Sequence, residues 1–272
     1  MADAVTVPRI RSRKRSRGSA PIVMITAYDA PGARIADSAG VDAILVGDSL
    51  AMVVLGYEDT LQVSVADMAH HTAAVARVRP NALVVGDLPW LSYHLSTEDT
   101  VRNAAVLIRA GAQAVKLEGG RRRLPMVEAL VAAEIPVMGH LGLTPQSVHQ
   151  MGGYKVQAKE PEAISALVDD ARALEAAGCF AIVLEGVPDV VAEQVTGALD
   201  IPTIGIGAGP GCDGQVLVLH DLLGLLEGEP PKFVRQYADM RGLATAAVAA
   251  WATDVRDGTF PTHSESYHLP GS

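Results

Sequence analysis

The chain has 272 residues, 49% of them hydrophobic and 19% charged, with a net charge of −9. Such a balance excludes a disordered chain and leaves room for a large buried core. It also argues against a general nucleic-acid binder. Two cysteines, Cys179 and Cys212, make neither a disulfide framework nor a metal-ligand spacing. No apolar run is long enough for a membrane span or a signal-peptide core, so a cytoplasmic protein without membrane or nucleic-acid partners is expected.

Residues 1–18 carry six basic side chains (Arg9, Arg11, Arg13, Lys14, Arg15, Arg17) against one acid, Asp3. They read as a solvated, disordered arm. The run PIVMITAYD then predicts a strand at 22–26 and a short helix at 30–39 with Ala33, Ile35 and Ala36 on its inner face. A second strand covers 42–46. After a long connection, Ser64 with Asp67 three residues on starts a helix over 65–78. A strand at 82–86 follows, then a helix at 97–110 that begins after Ser96 and stops at Gly111. The alternation continues with strand 113–117, helix 121–133, strand 136–139, a long loop 141–159, helix 160–177, strand 180–184, helix 188–198 and strand 202–206. An eighth strand is predicted at 215–219, with only GAGPGCDG before it, so the outer helix between strands seven and eight is short or missing. A last helical region covers about 232–255.

Eight strands in this alternation predict an α/β fold, a (β/α)8 TIM barrel, over an open doubly wound sheet that would use one crevice only. The expected organisation is an arm at 1–18, a single barrel catalytic domain at 19–256 and a polar tail at 257–272.

Five of these strands, the second to the sixth, close on a polar or charged residue, which is where a parallel barrel carries its chemistry. Asp48 and Asp87 end strands two and three; Lys116 and Glu118 end strand four; His140 ends strand five and Glu185 strand six. Carboxylates gathered at one mouth repel unless a cation lies between them. Hard oxygen ligands with positions left for water and substrate suit Mg²⁺, so Asp48, Asp87 and Glu118 are candidate metal ligands, Glu118 either directly or through water. The plainer reading is three acids capping the helices that follow. Lys116 shares a strand face with Glu118 and serves a substrate carboxylate, an interior ion pair, or a Schiff base. Glu185, after the apolar run AIVL, is a candidate base for a proton on carbon next to a carbonyl. His140 is either an oxyanion donor or a histidine bonded to backbone. The run 205–209 lacks the dinucleotide fingerprint and reads as a turn bringing backbone close to a ligand. His70 and His71 match no metal spacing.

These motifs resemble the ketopantoate hydroxymethyltransferase family. The resemblance is carried by TAYDAP (26–31), VGDSLAMVVLGYEDT (46–60), VVGDLPW (84–90), VKLEGG (115–120), GHLGLTPQS (139–147), GGYKVQ (152–157), LEGVP (184–188) and IPTIGIGAGPGCDGQVLVLHDLLG (201–224). Departures are the basic arm, the tail, and Ala158-Lys159, where a glycine–arginine pair is usual. The resemblance implies a barrel of the phosphoenolpyruvate/pyruvate-binding type that uses Mg²⁺ or another divalent metal. It implies transfer of a hydroxymethyl group from the co-substrate 5,10-methylenetetrahydrofolate to 3-methyl-2-oxobutanoate, giving 2-dehydropantoate for pantothenate synthesis through a Mg-stabilised enolate. Asp48, Asp87 and Glu118 would hold the metal; Asp48, Ser49, Asp87, Lys116 and His140 would face the oxoacid; Glu185 would be the base. The partners implied are small-molecule substrates and further copies of the chain, as a homodecamer. Two other classes stay open: a Schiff-base aldolase or related lyase, and a non-catalytic barrel binding through its arm.

Overall fold

Eight parallel strands close on one another in sequence order in the computed structural model, which describes residues 4–15 and 18–269. They are β1 (Ile22–Thr26), β2 (Ala43–Val46), β3 (Leu83–Asp87), β4 (Ala114–Glu118), β5 (Val137–Gly142), β6 (Ala181–Glu185), β7 (Thr203–Ile206) and β8 (Gly214–Leu217). The helices are α1 (Val7–Arg11), α2 (Ala30–Ser38), α3 (Leu50–Val53), α4 (Val65–Ala76), α5 (Thr97–Arg109), α6 (Leu124–Ala132), α7 (Val148–Met151), α8 (Pro161–Ala176), α9 (Asp189–Gly197), α10 (Leu219–Leu222) and α11 (Met240–Asp257). The expected strands and barrel-layer helices are all present, with ends shifted by one to three residues. The helix between β7 and β8 is absent, as the short connection predicts. Ser64 and Asp67 form a reciprocal cap on α4, and Ser96 accepts the Asp99 N–H at the start of α5.

Alternation along the strands fills the barrel with layers. Ile22 and Met24, Ala43 and Leu45, Leu83 and Val85, Ala181 and Val183 all belong to one buried cluster with Ala114, Met138, Ile204 and Val216. Extending the same period of two reaches Thr26, Asp87, Lys116 and Glu118, His140 and Glu185 at the carboxyl ends. The polar mouth is therefore the top layer of an otherwise apolar core. On α2, Ala33 and Ala36 are buried but Ile35 is 53% exposed, because it lies about 200° round the helix from Ala33. That corrects its placement on the inner face.

The N-terminal segment corrects a second expectation. Residues 4–15 are ordered: Val5 and Ile10 belong to the barrel cluster, and the Val5 N–H donates to the Asn81 carbonyl at 2.7 Å. Lys14 is buried, and its ammonium donates to the Thr196 and Ile201 carbonyls at 2.7 and 3.1 Å and to Asp213 at 2.8 Å. Arg13 pairs with Asp42, and the Arg15 N–H donates to Asp213. Lys14 thus neutralises the buried Asp213 and Arg13 the partly buried Asp42, while Arg9, Arg11 and Arg15 are exposed. The described part of the arm is a plug. Asp3, Arg17 and Ser16 lie outside the described residues.

One compact unit runs from the start to Leu219 and a second covers His220–Ser272. The second unit centres on α11, which buries none of its own residues and is capped by Asp239 and Gly258. The tail beyond it holds a helical turn, His263–Glu265, capped by Thr262.

Ala158 adopts a left-handed φ of 53°, at the position where glycine is usual in the resembled family. An L side chain there costs about 1 kcal/mol, so Ala158→Gly is expected to raise stability in urea denaturation by about that amount, offset in part by greater unfolded-chain freedom. Removing Lys14 leaves Asp213 buried without its cation. Lys14→Ala is expected to lose about 3–5 kcal/mol by the same measurement, whereas a solvated arm would tolerate it without loss.

Candidate active site

Strand pairing puts the polar layer together. Asp87 is in register with Lys116, Glu118 with His140, and Gly142 with Glu185. Asp48 arrives differently: β2 ends at Val46, and the chain turns into α3 with Asp48 in the turn. The same turn presents Ser49, whose hydroxyl makes no helix cap and is 2.9 Å from the Tyr28 hydroxyl. Tyr28 is steadied in turn by His71, whose Nδ1 is 2.7 Å from the Tyr28 carbonyl oxygen. Gly142 has φ +92°, and a Cβ on it would lie 2.3 Å from the Glu185 carbonyl oxygen. Only glycine lets β5 and β6 stay this close where Glu185 leaves the barrel.

All six candidates from the strand ends, and Ser49 beside them, converge on one mouth. Lys116 Nζ is 3.0 Å from Asp87 Oδ1, 3.8 Å from Glu118 Oε1 and 3.2 Å from His140 Nδ1. The Asp87 contact is close but not aligned as a hydrogen bond, since Oδ1 has no such partner. His140 bridges the site: Nδ1 is 3.2 Å from Glu118 Oε1, and Nε2 is 3.2 Å from Glu185 Oε2. The latter pair is again near without hydrogen-bond alignment. Asp48, Asp87, Lys116, Glu118 and His140 are all buried, whereas the Glu185 side chain keeps 17% of its surface open. Glu185 is the candidate acid or base with access to an incoming substrate.

Charge decides what this cluster can do. Burial, then Asp87 and Glu118, push the Asp48 carboxyl well above its usual range. Burial also raises Asp87, though Lys116 opposes it. Glu118 goes the other way: burial works against its charge, but His140, Lys116 and the Gln146 N–H hold it below the carboxylate range. Burial likewise opposes the Lys116 charge, and Asp87, Glu118 and Asp48 outweigh it, holding the ammonium above its ordinary value. Three buried carboxylates thus surround one fixed lysine, and the least satisfied of them, Asp48, lies furthest from sharing it. A second cation fits this donor set. Among the described residues no three His, Cys, Asp or Glu groups are spaced to enclose a metal unaided. Two carboxylates completed by water and substrate match the way Mg²⁺ is commonly held.

Sequence reasoning missed Tyr93 and Gln146, both buried beneath this cluster. Gln146 sits in a 3-10 turn inside the long loop 141–159, and its amide nitrogen donates to Asp48 Oδ2 at 2.9 Å. Neither residue has a periodicity that marks it; for Gln146 the only signal was membership of the TPQS segment, and for Tyr93 there was none. The glycine run does not serve as expected at its far end. Gly209 has φ +74°, and a Cβ there would be 2.4 Å from the Asp189 Cβ, so this part of the loop is laid against α9. Cys179 and Cys212 are buried and unpaired, and burial pushes the Cys179 thiol up to about 12.

Comparison with known proteins bears on this geometry. A family model described as ketopantoate hydroxymethyltransferase matches residues 4–263. A 3-methyl-2-oxobutanoate hydroxymethyltransferase of Methylobacterium sp. (strain 4-46) is 61% identical over 92% of this chain and 86% of its own. A second, from Bradyrhizobium diazoefficiens, is 56% identical over 98% and 91%. Among solved structures, 2,3-dimethylmalate lyase, of the PEP mutase/isocitrate lyase superfamily, aligns with a TM-score of 0.61 at 20% identity, covering 96% of this chain and 92% of that one. Phosphonopyruvate hydrolase, solved with oxalate and Mg²⁺, aligns with a TM-score of 0.61 at 13% identity, covering 97% and 93%. These two bear on the fold alone.

Burial and Lys116 act against a charged His140, but its contacts with Glu118 and Glu185 prevail and raise it from 6.5 to about 9. A folded value above the unfolded one means the charged imidazole contributes stability fully below pH 6.5 and loses it as pH rises through about 9. Without added metal, the stability gap between wild type and His140→Gln is therefore expected to narrow as urea denaturation is followed from about pH 6 to about pH 10. A gap that stays constant across that range would contradict a charged His140.

Proposed function

We propose that this chain, which belongs to the ketopantoate hydroxymethyltransferase family and transfers a hydroxymethyl group to 3-methyl-2-oxobutanoate, uses Glu185 to take the proton from the tertiary carbon of that oxoacid. The observation that carries the reading is the division of labour at the mouth: Asp48, Asp87 and Glu118 are buried around Lys116, while Glu185 alone is partly open opposite them.

The oxoacid carboxylate needs a fixed positive partner and a hydroxyl, and Lys116 and Ser49 provide them. With its charge held by Asp87 and Glu118, Lys116 acts as an anion-binding point charge. Proton loss to Glu185 leaves an electron pair that moves to the keto oxygen, and His140, charged and within reach of Glu185, is placed to donate to that oxygen. The carbon then bonds to the one-carbon unit that 5,10-methylenetetrahydrofolate gives up as both its C–N bonds break. Water supplies the hydroxyl oxygen, its two protons go to the folate nitrogens, the proton held by Glu185 goes to the new hydroxyl, and tetrahydrofolate and 2-dehydropantoate leave. Asp48 and Asp87 would hold a divalent cation, with Glu118 reaching it through a water. Bound there, Mg²⁺ supplies a Lewis acid that draws charge from the keto oxygen. The excess of buried carboxylates over cations supports this.

A Schiff-base route through Lys116 is opposed by the same electrostatics, since it requires a neutral amine and three acids favour the charged one. Assembly into a homo-oligomer, a decamer by resemblance, is supported by α11, where Leu243, Val248 and Trp251 are each more than half exposed. No described helix is long and apolar enough to cross a membrane.

Without folate, the enzyme and Mg²⁺ are expected to exchange the tertiary proton of 3-methyl-2-oxobutanoate for deuterium, and chelator to stop it. Glu185→Gln should slow exchange by about 100-fold or more. Exchange at the wild-type rate in that variant would remove Glu185 as the base, and a borohydride-trapped adduct on Lys116 would restore the Schiff-base route.

A further inference from the structure

Gln146 reaches the ends of three strands, one through its backbone N–H and two through its side chain. Its backbone N–H donates to Glu118 Oε2 at 3.1 Å. The side-chain nitrogen donates to Asp48 Oδ2 and to the Leu88 carbonyl, both at 2.9 Å. Its oxygen accepts from the Tyr93 hydroxyl at 2.6 Å. Both side chains are almost wholly buried, Gln146 at 5% and Tyr93 at 1% exposure, so water cannot replace any of these partners cheaply.

The direction of every bond in this chain is forced. The Glu118 N–H points at the Tyr93 oxygen at 3.2 Å, so that oxygen is used as an acceptor and the phenol O–H goes to Gln146. The Gln146 oxygen must then face Tyr93, and its NH2 must face Asp48 and Leu88. Flipping the amide would set oxygen against two oxygens at 2.9 Å. One backbone N–H of β4 thereby fixes, through a tyrosine and a glutamine, the donor on Asp48 Oδ2, while the Gln146 backbone N–H engages Glu118 Oε2 independently.

We propose that Gln146, locked by Tyr93, is a positioning residue that holds Asp48 through its side chain, so that the other Asp48 oxygen faces the substrate, while its backbone N–H holds Glu118 with Oε1 turned to His140 and Lys116. Neither side chain touches the reacting atoms. Each acts by fixing carboxylates whose mutual repulsion would otherwise turn them apart. The proposal rests on the reading of Asp48 as a cation ligand, and it adds what keeps that ligand aimed. Partners that orient ligating carboxylates are commonly worth about 10–100-fold in metal affinity.

The test is Mn²⁺ binding to the free enzyme, followed by calorimetry, with thermal unfolding and steady-state kinetics alongside. Gln146→Met keeps the length and removes every side-chain hydrogen bond. Tyr93→Phe removes one hydroxyl and frees the amide to flip. Both are expected to weaken Mn²⁺ binding, about tenfold or more for Gln146→Met, and to raise KM for the oxoacid more than they lower kcat. Should Gln146→Met fail to fold, Tyr93→Phe still decides the matter. If the wild type binds Mn²⁺ and the folded variants bind it equally well, the positioning role is overturned while the metal site stands. If the wild type binds none, the metal reading fails and the proposal falls with it.

Discussion

The contact on which the mouth depends is the buried ammonium of Lys116 among Asp87, Glu118 and His140. Removing a lysine from water is costly, and so is removing each of the acids; only together can they occupy the top of an apolar barrel. The arrangement is also incomplete in charge. One lysine answers for Asp87 and Glu118, and Asp48 is left with a neutral amide donor and a carboxyl pushed upward. A site built this way leaves a buried carboxylate without a charged partner and cannot relieve that by rearranging, because every group sits on a strand end or on the turn that ends one.

The two ends of the barrel use charge for different purposes. At the amino end Lys14 is satisfied completely, by two carbonyls and Asp213, and Ile10 and Val5 seal the same region with apolar surface. At the carboxyl end satisfaction is partial and one carboxylate, Glu185, remains open. Stability is concentrated where nothing has to enter, and reactivity where the strands stop, which is the general division in parallel barrels. Tyr93 and Gln146 belong to neither group by chemistry. They transmit the rigidity of β4 into a turn of the loop after β5, and so give a loop-borne residue the precision of a strand.

Expectation and structure parted where contacts were remote. Lys14 looked like part of a solvated basic run because its neighbours are arginines, yet its partners lie 182 to 199 positions away. Ile35 looked inward from composition alone, and helical angle put it out. Gln146 lies 98 positions from Asp48, in a loop without periodicity, so nothing local distinguished it from a solvent-facing amide. The loop 141–159 was legible in its length, but not in which side chain of it reached down.

What the sequence determined by itself was the alternation and its parity. Apolar residues two apart in each strand point to one side, and the residues continuing that parity, Asp87, Lys116, Glu118, His140 and Glu185, had to share whatever surface the strands enclosed. The motif runs then named the family from the same positions. What only the tertiary structure decided was the set of remote contacts: that residues 4–15 fill the amino end, and that Glu118 reaches Gln146 and Asp48 through Tyr93. Periodicity is a property of neighbours along the chain, whereas these contacts exist only once the strands have curved round and brought distant polar groups into a space from which water is excluded.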